Sequence, residues 1–143
     1  MNDNQLIFEA FNRIYLDGMI TDDAGNQRYY KNGELHRDDG PAYVGVDGSE
    51  EWFKDGNTHR DGGPAITNST GSKAWYQNGR LHREDGPAYI PTKGKPVFYF
   101  NAKSCDVNYW AKLVLMKNDK PHDPAAVQEF VRHVLAKQTK DLI

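Results

Sequence analysis

Apolar and polar positions recur along this chain with a period of 23 residues. The three complete copies read YKNGELHRDDGPA from Tyr30, WFKDGNTHRDGGPA from Trp52 and WYQNGRLHREDGPA from Trp75. The first stretch begins one position later in its unit than the other two. A fixed period of this length indicates one structural unit that packs on copies of itself. A fourth copy, KPVFYFNAKSC, lacks the turn glycine and the histidine, as is expected of a terminal repeat.

Each unit carries two tight-turn signals and therefore predicts two antiparallel strands. The Asn-Gly or Asp-Gly turns end at Gly33, Gly56 and Gly79. These residue types tolerate positive φ. A second signal, at Gly48, predicts a hairpin between residues 42–46 and 50–54. Because side chains alternate along a strand, neighbouring aromatics such as Trp52 and Phe53 should point to opposite faces.

Apolar residues at helical spacing predict helices on both sides of the repeats. A first helix follows a cap at Asp3 or Asn4, and a later one is capped by Asp106 and covers residues 107–117. Asp123 and Pro124 open a last helix that should run to Ala136. The predicted fold is α+β: an N-terminal helix over 1–18, an antiparallel β-meander of stacked hairpins over 19–102 and a C-terminal helical pair over 103–143.

Composition and charge narrow the function classes. The 143 residues carry a formal net charge of −2, which disfavours nucleic acid as a partner. The single cysteine, Cys105, cannot form an internal disulfide and is expected to be a small buried hydrophobe. The chain has neither an apolar run of roughly 20 residues nor a basic, signal-like start, so we expect a soluble, cytoplasmic protein.

The repeat unit resembles the MORN repeat, on the aromatic strand, the Asn-Gly turn, the two-residue gap and the histidine. The resemblance covers residues 19–102. The HR[DE]DGPA segment departs from the usual His-Gly of MORN repeats and is similar to repeats in bacteriophage, bacterial and large-virus proteins. The resemblance implies a twisted sheet of stacked hairpins and a scaffold for protein partners, with phosphoinositide contact in some members. A viral origin would place the protein in the host cytoplasm.

The recurrent histidines and arginines are predicted to be structural. If each repeat adds two strands, equivalent side chains stand roughly 10 Å apart, whereas zinc ligands lie about 2 Å from one ion. His36, His59 and His82 therefore cannot share a metal, and we predict neither catalytic residues nor a metal or cofactor. Arg37, Arg60 and Arg83 should close the turns through ion pairs or bonds to carbonyls. Anion or phospholipid-headgroup binding by these arginines is the alternative.

Two aromatic series run along the repeats. Tyr29, Trp52, Trp75 and Phe98 should form the buried side together with Ala42, Ala65 and Ala88. The second series is the candidate binding face and consists of Tyr30, Phe53, Tyr76 and Tyr99 with Tyr43 and Tyr89 on neighbouring strands. It is too apolar for an ordinary solvated face, so either the terminal helices cover it or it binds a partner. Both alternatives stay open.

The sequence thus favours a non-enzymatic protein-binding module that uses the aromatic face or the terminal helices. If the chain is phage-encoded, its expected partner is a host protein that it inhibits or redirects. A scaffold that binds anions or phospholipid headgroups is one alternative. An enzyme with a pocket between the sheet and the helices is the other, and it would need histidine or acidic side chains converging there.

Overall fold

The computed structural model describes residues 17–141 together with residue 3, so the predicted N-terminal helix falls almost entirely outside the described residues. Within that range the protein is α+β, with a meander of short antiparallel strands followed by two helices. The strands are β1 (Gly18–Thr21), β2 (Gln27–Lys31), β3 (Glu34–Leu35), β4 (Tyr43–Val44), β5 (Glu50–Glu51), β6 (Phe53–Lys54), β7 (Asn57–Thr58), β8 (Ile66–Thr67), β9 (Lys73–Ala74), β10 (Tyr76–Gln77), β11 (Arg80–Leu81), β12 (Tyr89–Ile90), β13 (Phe98–Phe100) and β14 (Lys103–Cys105). The helices are α1 (Val107–Lys117) and α2 (Pro124–Asp141).

The main sheet is an antiparallel meander in the order β1-β2-β4-β5-β8-β9-β12, with β3 paired to β2. Three ribbons, β6-β7, β10-β11 and β13-β14, form separate two-stranded sheets, and single backbone bonds join successive ribbons, as from the Gly79 N–H to the Thr58 carbonyl over 2.8 Å. The second complete unit, residues 52–74, therefore contributes four short strands, β6 to β9, and the prediction of two is wrong. The strand predicted over 50–54 divides at Trp52, whose N–H donates to the Ala65 carbonyl over 2.7 Å in the register of the β5-β8 pair.

The predicted tight turns are confirmed. Gly48 has a φ of 90° between β4 and β5, and the first turn residues Asn32, Asp55 and Asn78 have φ values of 49–52°. The fourth copy keeps the same turn although alanine replaces glycine, since Asn101 and Ala102 have φ values of 47° and 69°. Its hairpin extends to Cys105, three residues beyond the boundary expected at 102, because this turn still pairs β13 with β14.

The core has two parts. Along the repeats the predicted alanines Ala42, Ala65 and Ala88 are fully buried, whereas the aromatics predicted on the same side, Tyr29, Trp52 and Trp75, are only half-buried. At the C-terminal end α1 and α2 pack on the last hairpin through Phe98, Trp110, Ala111, Val114, Val127, Val131 and Val134. Ala111 stands 23 residues after Ala88, so the helix supplies the next alanine of the period. The helices therefore close the end of the stack.

Some apolar side chains of the two helices lie outside the core. Tyr109, Met116 and Leu135 are exposed. Cys105 is half-buried against the core, and this burial raises the pKa of its thiol.

Among the described residues, no helix is both long enough and apolar enough to cross a bilayer.

Candidate functional site: the groove between the repeat loops and the helices

Each recurrent histidine joins its own repeat to the turn of the next one. The Nδ1 atom accepts a backbone N–H, and the pairs are His36 with Asp55, His59 with Asn78 and His82 with Asn101, each at 3.0 Å. Since Nδ1 accepts, the proton lies on Nε2. That nitrogen faces a carboxylate two residues on, namely Asp38, Asp61 or Glu84. The predicted structural role is confirmed, but the backbone partner belongs to the neighbouring repeat.

Each recurrent arginine places its guanidinium over an aromatic ring of the first series. The pairs are Arg37 over Tyr29, Arg60 over Trp52 and Arg83 over Trp75, each with Cζ 3.9 Å from the ring centroid. The Nη1 atom also donates to the proline carbonyl four residues on, at 3.0–3.1 Å. The predicted bonds to carbonyls are confirmed. The stacking was not predicted, and the recurrent spacing of eight residues between ring and arginine was the available signal.

A glycine on the other side of each guanidinium makes this stacking possible. These glycines are Gly40, Gly63 and Gly86, and a Cβ at any of them would lie only 2.8–2.9 Å from the guanidinium carbon. Real Cβ atoms essentially never approach so closely, so each arginine is held between a ring and a bare backbone. The glycine of the Gly-Pro-Ala segment therefore leaves room for the guanidinium, and a larger residue would have to displace it.

The second repeat departs from this pattern at one position. In the first and third repeats the arginine Nε donates to an aspartate two residues on, over 3.2 Å to Asp39 and 2.7 Å to Asp85. The second repeat has Gly62 there, with a φ of 82° and open space where a Cβ would lie. Among the side chains of residues 17–139, no carboxylate forms an ion pair with Arg60.

Glu84 ties the third repeat to α1. Burial alone raises the pKa of Glu84, but hydrogen bonds from Lys117, Asn118 and His82 outweigh it and hold the pKa at about 2. The Asn118 amide donates over 3.0 Å and His82 Nε2 over 2.8 Å. Thus the Glu84 carboxylate bonds both the third repeat, through His82, and the C-terminal end of α1, through Lys117 and Asn118.

Trp110 closes the stack where the arginines end. Its ring is fully buried and its centroid lies 4.7 Å from that of Phe98, the last member of the first aromatic series. Its indole N–H donates to the Arg83 carbonyl over 2.8 Å. In the fourth copy an indole therefore covers the aromatic ring that a guanidinium covers in the other three.

The candidate binding face is a stripe of partly covered aromatics. Tyr30, Phe53, Tyr76, Tyr99 and Tyr43 are half-buried, and Tyr89 is 36% exposed. Burial and the neighbouring Tyr99 raise the pKa of Tyr76. Phe98 and Phe100 pack toward the helices, so the alternation of side chains points Tyr99 to the opposite face of the hairpin. Binding by this stripe stays a prediction.

An open groove of about 1530 Å³ lies between the loops of the second and third repeats and the two helices. Its wall combines repeat residues such as Arg60, Gly62 and Trp75 with helical residues such as Phe130 and His133. Six basic and three acidic residues line it, which leaves a formal charge of +3 in a chain whose net charge is −2. The groove is therefore a local basic surface on a slightly acidic protein.

The groove wall contains two histidines and three acids, as the enzyme alternative requires, and one of these histidines, His133, is exposed on α2. His82 is only 4% exposed, however, and its two ring nitrogens bond the Asn101 backbone and the Glu84 carboxylate. A general base needs a free nitrogen within hydrogen-bond reach of its substrate. In residues 17–141 no group of three or more His, Cys, Asp or Glu side chains is arranged to hold a metal ion.

Comparisons with protein-family models, curated proteins and solved structures give no match. The architecture of the chain is an α+β stack of short antiparallel hairpins closed by C-terminal helices. The MORN resemblance continues to rest on the repeat residues alone.

Proposed function

We propose that this protein is a non-enzymatic protein-binding module in which the repeats form a fixed support for the groove between their loops and the C-terminal helices. The groove carries this proposal, because it combines apolar surface from Trp75 and Phe130 with polar and charged side chains. Binding sites are concave surfaces of this mixed character. The MORN resemblance, which implies scaffolding of protein partners, supports the same function.

The use of the repeat side chains favours binding over catalysis. The imidazole of His82, the most deeply buried of the three recurrent histidines, has no free nitrogen, and each recurrent arginine is fixed by a ring and a carbonyl. Such groups hold the backbone in place and supply rigidity. A rigid surface lowers the entropy lost on association, which favours recognition of a partner.

The similarity of the HR[DE]DGPA segment to repeats in bacteriophage and bacterial proteins supports a more specific version. In it the chain is phage-encoded and binds a bacterial host protein that it inhibits or redirects. Bacterial lysate is therefore the appropriate source of partners. The alternative of anion or headgroup binding receives less support, because Asp39 and Asp85 already neutralise the first and third arginines.

Site-specific photocrosslinking tests the proposal. A benzophenone amino acid is placed at His133 in the groove, at Tyr89 on the aromatic stripe or at the exposed Ser69 as the control, and adducts from bacterial lysate are identified by mass spectrometry. We expect one reproducible protein adduct from His133 and none from Ser69. An adduct from Tyr89 alone would move the binding surface to the aromatic stripe. Identical adduct patterns at all three positions would refute the module.

A further inference from the structure

We infer that the groove binds an acidic segment of a partner protein, and that one carboxylate of this segment bonds the Nε atom of Arg60 above Gly62. The inference rests on the proposed protein-binding function and adds the chemistry of the partner. It follows from the difference between the second repeat and its two neighbours.

The guanidinium of Arg60 is held in the same way as the other two. It lies 3.9 Å from the centroid of the Trp52 ring, and its Nη1 donates to the Pro64 carbonyl over 3.1 Å. The Nε atom therefore has a fixed direction. In the neighbouring repeats this direction leads to the carboxylates of Asp39 and Asp85. The second repeat keeps the donor and lacks the acceptor.

The missing acceptor leaves room for one from outside. Gly62 has no side chain, and a Cβ placed on it would meet nothing within 4 Å. Both Arg60 and Gly62 line the groove, so a chain lying in the groove would pass beside this guanidinium. The neighbouring repeats show that a carboxylate fits this edge of the guanidinium, which favours an acidic side chain over a phosphate.

The charges of the groove favour several acidic residues in the segment. The acids Glu84 and Asp85 are occupied by Lys117 and Lys137. Other basic residues of the wall, Arg80 and Lys120, are exposed. An acidic partner segment would be attracted by this positive field and oriented by it. Apolar residues of the segment would meet Trp75 and Phe130.

A peptide selection tests the inference. Random 12-residue peptides displayed on phage are selected on the full-length protein, and the binding of one enriched peptide is then titrated by fluorescence anisotropy. We expect enriched peptides to be rich in Asp and Glu. The variant Gly62→Asp supplies the missing carboxylate from within the chain and should weaken binding about tenfold, because the charge-assisted bond is lost and the new acid repels the peptide.

The matched control is Gly62→Asn. Asparagine tolerates a left-handed backbone as aspartate does and has the same shape without the charge. It should change the peptide affinity by no more than about twofold. A second variant, Lys120→Glu, alters an exposed loop residue and should also weaken binding, by about threefold or more. Far-UV circular dichroism checks that each variant is folded.

The outcomes separate this inference from the proposed function. Enriched peptides without acidic residues, or equal binding to the Asp and Asn variants, would overturn the inference while the crosslink from His133 still supports protein binding. Vesicles containing phosphatidylinositol 4-phosphate serve as the competing probe. If these vesicles bind Gly62→Asp more weakly than Gly62→Asn, and acidic peptides do not bind, the site recognises lipid headgroups and the inference fails. The double variant Asp39→Gly/Gly62→Asp removes the aspartate partner of Arg37, which lies outside the groove wall. Recovery of peptide binding in this variant would therefore also overturn the inference.

Discussion

The Nδ1 atom of His82 accepts a hydrogen bond from the backbone N–H of Asn101 over 3.0 Å. This bond carries the contact between repeats into a fourth copy that has lost its own histidine and its turn glycine. The last hairpin is thereby held in register with the stack, and the helices pack on it. Together with the bond from the Ala102 N–H to the Leu81 carbonyl, over 2.8 Å, the His82 bond joins the last hairpin to the third repeat.

Replacing His82 with phenylalanine should destabilise the protein. The ring would keep its packing near Phe100, whose centroid lies 4.7 Å away, but the Asn101 N–H would lose its acceptor. An unsatisfied donor of this kind costs about 1–3 kcal/mol. Urea denaturation followed by circular dichroism measures the change. The exposed His122 provides the control, and His122→Phe should change the free energy of unfolding by less than about 0.5 kcal/mol.

Glu84→Gln should lower the free energy of unfolding at neutral pH and make that free energy depend less on pH. The pKa of Glu84 is about 2 in the folded protein, below the ordinary value of 4.5, so its contribution is present above pH 4.5 and is lost as the pH falls toward 2. We expect a loss on the order of 1–2 kcal/mol at pH 7 after allowance for its partial exposure, and little loss near pH 2. Urea denaturation at several pH values measures it. A constant difference across this range would contradict the prediction.

Gly86→Ala should destabilise the third repeat through contact with arginine. The added Cβ would lie 2.8 Å from the Cζ atom of Arg83 and force the guanidinium off Trp75. Overpacking of this kind costs about 1–3 kcal/mol. The double variant Arg83→Ala/Gly86→Ala identifies the cause, because the added methyl group has nothing to displace once the guanidinium is gone. Additive losses of unfolding free energy would show that the backbone, and not the arginine, requires glycine.

Ala102→Gly should stabilise the protein. Ala102 holds a φ of 69° in the last turn, a conformation that costs an L-residue roughly 1–2 kcal/mol, and glycine adopts it without a clash. After the larger entropy loss of glycine on folding, we expect a gain of about 0.5–1 kcal/mol. Thermal unfolding measures it as a higher Tm. The converse change at the equivalent turn, Gly79→Ala, should lower the Tm. A Tm change in the same direction for both variants would contradict the prediction.

Local features of the sequence were predicted well. The turns depend on residues such as Asn78 and Gly79 that tolerate positive φ, and the observed φ values confirm them. Helix α1 begins after its predicted cap, where the Asp106 side chain accepts the Tyr109 N–H, and ends at Lys117 as expected. Helix α2 begins at Pro124 as predicted but runs to Asp141, five residues beyond Ala136, because no glycine or proline ends it there.

Features that depend on distant residues were not predicted. The ring of Trp75 and the guanidinium of Arg83 meet across a hairpin, and the helical wall of the groove is placed by packing on Phe98. Neither contact follows from periodicity within one element. One long-range signal was present, since Ala111 continues the 23-residue spacing of the buried alanines into α1. It would have placed that helix at the end of the stack.

The bond from each histidine to the following turn always spans 19 residues. Removing residues 52–74 would therefore present Asn78 to His36 in the place of Asp55, and every junction would find an equivalent partner. Deletion or duplication of a whole 23-residue unit would therefore keep an acceptor opposite every turn, whereas an insertion of another length between a histidine and the following turn would change the 19-residue spacing of that bond.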